Sequence, residues 1–111
     1  MSRDPGLLED ILREARLALD FISGMTEADF GQDVKTQHAV VRCIEIIGEA
    51  ANNLSNETRQ SIALPWSQII GMRHIAIHHY RKLELERVWR TVHEHLPELV
   101  VLVDDFLRDI P

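Results

Sequence analysis

Residues 39–51 read AVVRCIEIIGEAA. At about 100° of rotation per residue, Ala39, Val40, Cys43, Ile44, Ile47, Ala50 and Ala51, continued by Leu54, fall on one side of a helix. The strict alternation of a half-buried strand is missing. A stripe of this length needs apolar partners, and the flanking sequence supplies them in the same helical period.

Toward the N-terminus, Asp4 followed by Pro5 is an N-cap and first-turn signal. Leu7, Leu8, Ile11, Leu12, Ala15, Leu19 and Ile22 then recur at helical spacing until Gly24 stops the pattern. Thr26 to Asp29 can cap a brief turn, and Asp33 opens the long helix that carries the stripe. Toward the C-terminus, NNLSNET (52–58) is punctuation, with Ser55 or Asn56 capping a short element. Pro65 suits the first turn of a third major helix running to about His79. LELERVWRTVHEHL (83–96) supplies a fourth through Leu85, Val88, Trp89 and Val92. Pro97 marks a restart or kink into ELVVLVDDFLRDI (98–110), whose Leu99, Val103 and Phe106 also need cover. The expected fold is all-α: an antiparallel four-helix bundle with an additional C-terminal or short helix packed alongside.

At 111 residues the chain is expected to form a single domain over 1–111. Apolar residues make up 45% and charged residues 27%, a balance that argues against disorder. The single cysteine, Cys43, rules out an intrachain disulfide and reads as a buried thiol, which fits a reducing compartment. No stretch approaches the roughly 18 apolar residues of a membrane span, and no signal-peptide pattern opens the chain. The expected location is cytoplasmic. A net charge of -6 speaks against a surface-wide nucleic-acid-binding field, so any contact with an anion must be local.

The concentration of chemistry is in GMRHIAIHHY (71–80), which holds Arg73, His74, His78, His79 and the only tyrosine, Tyr80. On a regular helix Trp66, Ile69, Ile70, Ala76, Ile77 and Tyr80 lie within about 60° of Arg73, while Ser67, Gly71, His74 and His78 share a polar side. An arginine in an apolar face must meet a carboxylate, a phosphate or water. Two readings follow: an ion pair to an acid such as Glu45 or Glu49, or a cleft in which Arg73 meets a ligand phosphate. His78 is about 140° around and about 7.5 Å along a regular helix from Arg73. Joint action on one atom therefore calls for a local departure from the helix or a second copy of the chain across a symmetric interface.

Arg73, His78 and Tyr80 together resemble the R-x4-H-x-Y motif of the HepT-like toxins, a branch of the HEPN superfamily of prokaryotic ribonucleases. LPWSQIIGMRHIAIHHY resembles the segment leading into that motif, RCIEIIGEAANNLS the preceding helix and LELERVWRTVHEHLPEL the following one. His74 departs from the asparagine most common after the motif arginine. The resemblance implies a dimerising all-α bundle, metal-independent cleavage of RNA in a shared cleft, and no cofactor. It also implies a partner, a minimal nucleotidyltransferase (MNT) antitoxin that transfers AMP to Tyr80. In this reading Arg73 and His78 are catalytic, and His74 and Tyr80 support the site or contact substrate.

Rival readings use the same residues. His74 and His78, at i and i+4 with His79 beside them, have the spacing of a two-imidazole metal site, but neither a H-E-x-x-H pattern nor a cysteine cluster supports it. A non-catalytic HEPN-type subunit that binds a nucleotidyltransferase would use the bundle's faces and would not need Arg73 and His78 together. Arg81 and Lys82 read as a local positive field or a solvated helix end. His38, His93 and His95 read as surface or satisfied helix residues, Asp104 and Asp105 as a solvated face or partners of arginines, and Trp66 and Trp89 as core or dimer-contact aromatics.

Overall fold

A computed structural model describes residues 2–74 and 82–110. The elements are α1 (Asp4–Phe21), α2 (Glu27–Gln32), α3 (Val34–Asn52), α4 (Asn56–Ser61), α5 (Trp66–Gly71) with a 3-10 turn (Met72–His74), α6 (Lys82–Arg90), a π turn (Thr91–His95) and α7 (Leu96–Arg108). Among the described residues there is no strand. The all-α expectation holds.

The AVVRCIEIIGEAA stretch lies within α3, at the centre of the bundle. Val40, Val41, Ile44 and Ile47 are buried against Leu8, Ile11 and Ala15 of α1. α1 also packs on α7, and α3 meets α5 and its 3-10 turn on another side. Val88, Val92, Leu99 and Val103 close the core from the C-terminal half.

Local chemistry sets the boundaries. Gly24 adopts φ +80°, a left-handed conformation that costs glycine little, and it ends the first helical pattern. Thr26 and Asp29 form a reciprocal capping box: Thr26 Oγ1 accepts from the Asp29 amide and Asp29 Oδ2 from the Thr26 amide. Asp33 Oδ1 accepts from Thr36 N at 3.0 Å at the start of α3. Ser55 Oγ does the same for Thr58 N at the start of α4. These are the caps that the sequence signalled.

Asp4 differs from its expected role. It is the first helical residue, the N-cap Arg3 makes no side-chain capping bond, and Ser2 Oγ accepts from the Asp4 amide at 3.0 Å. The buried Asp4 carboxylate instead accepts from Ser55 N (3.2 Å), Ser55 Oγ (2.5 Å) and Thr58 Oγ1 (2.6 Å). The hydroxyls of Ser55 and Thr58 hold its pKa below the ordinary aspartate value, because they stabilise the charged form. A residue that looked like a local cap thus pins the start of α1 to α4, across 51 and 54 residues of chain.

Pro97 is the second residue of α7, directly after the π turn. Proline lacks an amide hydrogen and crowds the preceding turn, and a widened turn accommodates that defect without a full break. The expected restart is therefore a π turn joining α6 to α7. Trp89 is in the core, tilted on Phe30 at 5.6 Å between centroids and stacked on His93 at 5.3 Å. Half-buried Trp66 donates from Nε1 to the carbonyls of Arg59 (2.8 Å) and Ile62 (3.0 Å), fastening α5 to α4. Asp104 is ion-paired with both Arg16 (3.6 Å) and Arg108 (3.0 Å).

Cys43 is buried, as expected. Burial first, then the negative charge and hydrogen bond of Glu14, push its thiol up to about 12. No described helix is long and apolar enough to cross a membrane.

Candidate functional site

α5 begins after Pro65 and turns its half-buried Ile69 and Ile70 toward α3, while Ser67 and Gly71 are exposed. This agrees with the two faces expected from the sequence. The regular helix ends at Gly71, however, and Met72–His74 tighten into a 3-10 turn. A 3-10 helix turns about 120° per residue rather than about 100°, so the regular helix expected to run on from Pro65 already tightens at Met72–His74. His78, His79 and Tyr80 lie outside the described residues, as do Ala76 and Ile77.

Arg73 is half-buried and His74 exposed. Arg73 Nε donates to His74 Nε2 at 3.1 Å. The imidazole nitrogen must act as acceptor in that contact, which orients the His74 ring against the guanidinium. His74 is thus part of the Arg73 setting.

Gly48 determines how close this turn comes to α3. A Cβ at Gly48 would lie 3.0 Å from Arg73 Cβ, 3.0 Å from Arg73 N and 3.0 Å from the Ile69 carbonyl oxygen. Two of those three atoms are backbone, so the helix and the turn are in contact main chain to main chain. The reading of the sequence missed this residue. Its signal was a lone glycine inside an otherwise strongly helical apolar run, a pattern that marks a close backbone approach.

Arg73 and His74 face an open groove of about 710 Å³ between α1, α3 and the 3-10 turn. Its walls include Asp10 from α1, Arg42, Glu45 and Glu49 from α3, and Asn53 just past the end of α3. The expected ion pair from Arg73 to Glu45 or Glu49 is not formed. Among the described residues no carboxylate lies within ion-pair distance of Arg73 or of Arg42, although both acids share the groove. The physical reason is placement: Gly48 draws the backbone of the 3-10 turn onto α3, and Arg73 directs its Nε to His74 rather than to the carboxylates. Asp10 is engaged with Arg13 at 3.2 Å.

Chemically, the groove offers guanidinium donors that remain uncommitted to described acids, an imidazole, and amide side chains. That donor set suits an anion with several oxygens, such as a phosphodiester. Among the described residues no group of three or more His, Cys, Asp or Glu is placed to hold a metal ion. The His74–His78–His79 metal reading depends on residues outside the described ones.

The model of a family described as Ribonuclease HepT-like matches residues 11–106. A protein of Caldanaerobacter subterraneus subsp. tengcongensis named "Putative RNase TTE0752" is 37% identical over 102 residues, covering 91% of each chain. "Probable ribonuclease HepT" of Thermococcus cleftensis is 40% identical over 93 residues, covering 83% of this chain and 84% of its own. "Putative RNase MJ0127" of Methanocaldococcus jannaschii is 35% identical over 104 residues, 93% of this chain and 86% of its own. No solved structure matches.

Proposed function

The chain belongs to the HepT-like ribonuclease family, and from that premise we propose that it is a metal-independent endoribonuclease, the toxin of a toxin–antitoxin pair. The observation that carries this reading is the groove-facing Arg73, half-buried and unpaired with Glu45 or Glu49 in the same groove. A cation kept from adjacent acids is available to a phosphate.

In the proposed reaction the substrate's own 2′-hydroxyl is the nucleophile. His78 accepts its proton as the 2′-oxygen bonds to phosphorus. The bond from phosphorus to the 5′-oxygen breaks, and the imidazolium returns the proton to the leaving oxygen. The products are a 2′,3′-cyclic phosphate and a free 5′-hydroxyl. An imidazole with an ordinary pKa near 6.5 is suited to both transfers, and Arg73 neutralises the charge that grows on the phosphoryl oxygens. DNA has no 2′-hydroxyl and is not a substrate. Two copies of the chain form the active cleft, in the cytoplasm of the cell that makes it.

Control is exerted by a minimal nucleotidyltransferase antitoxin. It transfers AMP from ATP to the Tyr80 hydroxyl with loss of pyrophosphate. The added phosphodiester brings a bulky anion to the motif, where it competes with RNA for Arg73.

The test is incubation of protein expressed without the antitoxin with total bacterial RNA in EDTA, beside Arg73→Ala and His78→Ala. Expected is cleavage by the parent chain and none by either variant, with the helical circular dichroism of all three alike. No cleavage by an unmodified parent chain would overturn the enzyme reading in favour of a non-catalytic subunit that binds the nucleotidyltransferase. Loss of helix in either variant would make that residue structural.

A further inference from the structure

The charge of the whole chain is -6, so an RNA strand is not drawn to this protein by a general field. Any hold on the strand beyond the scissile phosphate must come from individual cations near the groove. Two described arginines line it: Arg73 on the 3-10 turn, and Arg42 on α3.

Arg42 is exposed and forms no ion pair among the described residues. Glu45, one turn further along α3, lines the same groove without engaging it. The backbone of Arg73 touches α3 at Gly48, six positions beyond Arg42, and six residues of α-helix rise about 9 Å. A stacked strand advances about 3.4 Å per nucleotide. Arg42 therefore starts about 9 Å along α3 from the contact at Gly48, a spacing that matches a phosphate two or three nucleotides away on the same strand.

We propose that Arg42 is a substrate-positioning residue that binds a flanking phosphate of single-stranded RNA lying along α3, while Arg73 holds the phosphate to be cleaved. This rests on the ribonuclease reading above. The groove's two guanidiniums stand against the three carboxylates of Asp10, Glu45 and Glu49. Removing Arg42 leaves one cation against three acids, so the strand loses a contact and meets greater repulsion. A substrate with only one phosphodiester never reaches Arg42.

The test compares the parent chain with Arg42→Ala and Arg42→Lys. The probe is a fluorescent single strand of about 10 nucleotides, the scale of single-strand binding sites, with 2′-O-methyl riboses that prevent cleavage. Its affinity is measured across a salt series. Cleavage of a dinucleoside monophosphate and of total bacterial RNA is measured in parallel. For Arg42→Ala the expected result is binding weakened on the order of ten- to a hundredfold, the scale of a charge-assisted hydrogen bond. The salt slope becomes shallower by about 0.7, one phosphate's worth, and dinucleotide cleavage is unchanged. Arg42→Lys keeps the slope. If Arg42→Ala binds the strand with the parent affinity and slope while the parent chain cleaves RNA, the assignment of Arg42 is wrong and the ribonuclease reading stands. Equal losses on the dinucleotide and the long strand also overturn a flanking role. If the parent chain neither binds the strand at low salt nor cleaves RNA, the ribonuclease reading fails and this proposal falls with it.

Discussion

Replacing Gly48 by alanine sets two effects of known sign against each other. In the middle of α3, alanine gains up to about 1 kcal/mol over glycine from helix propensity. The new Cβ, however, would sit 3.0 Å from each of three atoms, two of them backbone atoms of Ile69 and Arg73. Backbone atoms in a packed turn cannot rotate aside, and overpacking of this kind costs about 1–3 kcal/mol. The sterics therefore win, and Gly48→Ala is expected to destabilise the fold by about 1 kcal/mol net. In a domain of this size that lowers the melting temperature by about 4 °C. The functional loss should be larger than the structural one, because relief requires the 3-10 turn to move off α3 and carry Arg73 with it. The shift needed is a few tenths of an ångström, less than the misplacement of about 1 Å that can cost about a hundredfold in rate, so a loss below about a hundredfold is expected. Gly6→Ala in α1 is the control, since nothing lies within 4 Å of its added Cβ and it should show the propensity gain alone. Thermal melts by circular dichroism and RNA cleavage rates measure both effects. A Gly48→Ala melt that rises as for Gly6→Ala would refute the steric claim. A lowered melt with full cleavage would refute the claim that Gly48 places Arg73.

The Asp4 cluster makes stability depend on acid. Its carboxylate has a folded-state pKa below the unfolded value of about 3.9, so its contribution is complete above the unfolded value and disappears as pH falls through the folded one. Asp4→Ala should lower the urea midpoint at neutral pH, by about 1–3 kcal/mol of stability for unpartnered Ser55 and Thr58 hydroxyls, and flatten the acid limb; an unchanged midpoint would mean that solvent replaces these bonds without loss. With its thiol pushed up to about 12, Cys43 should resist iodoacetamide in the native protein near pH 8 and react fully in denaturant, and rapid native labelling, followed by mass, would show that the α1–α3 interface opens readily. Tyr80→Phe should remain an active ribonuclease that the nucleotidyltransferase no longer silences in a co-expression growth assay; continued neutralisation would place control in binding rather than modification.

The fold was legible because its signals are local. The caps at Thr26, Asp33 and Ser55 act within three residues, and the stripes of α1 and α3 need only the helical period to be recognised. Asp4 shows where local reading stops: an aspartate before a proline looks the same whether it caps its own helix or reaches a serine and a threonine more than fifty residues away. Nothing in the period of a sequence distinguishes those partners.

The candidate site was legible to a different depth. The faces of α5 came out as its periodicity required, and Arg73 was marked by the cost of setting a permanent cation in an apolar stripe. One inference drawn from that point failed. The ion pair to Glu45 or Glu49 assumed that acids on a neighbouring helix would close on Arg73. That depends on how the turn is seated against α3, and the seating is set by the absence of a side chain at Gly48. A missing Cβ carries no charge and no hydrophobicity, so scales built on either pass over it. Its effect is to bring two backbones together and leave a guanidinium facing open space beside carboxylates it does not touch. An arginine held in that way has lost its intramolecular neutralisation while keeping its place, and in physical terms that is what a site awaiting a phosphate requires.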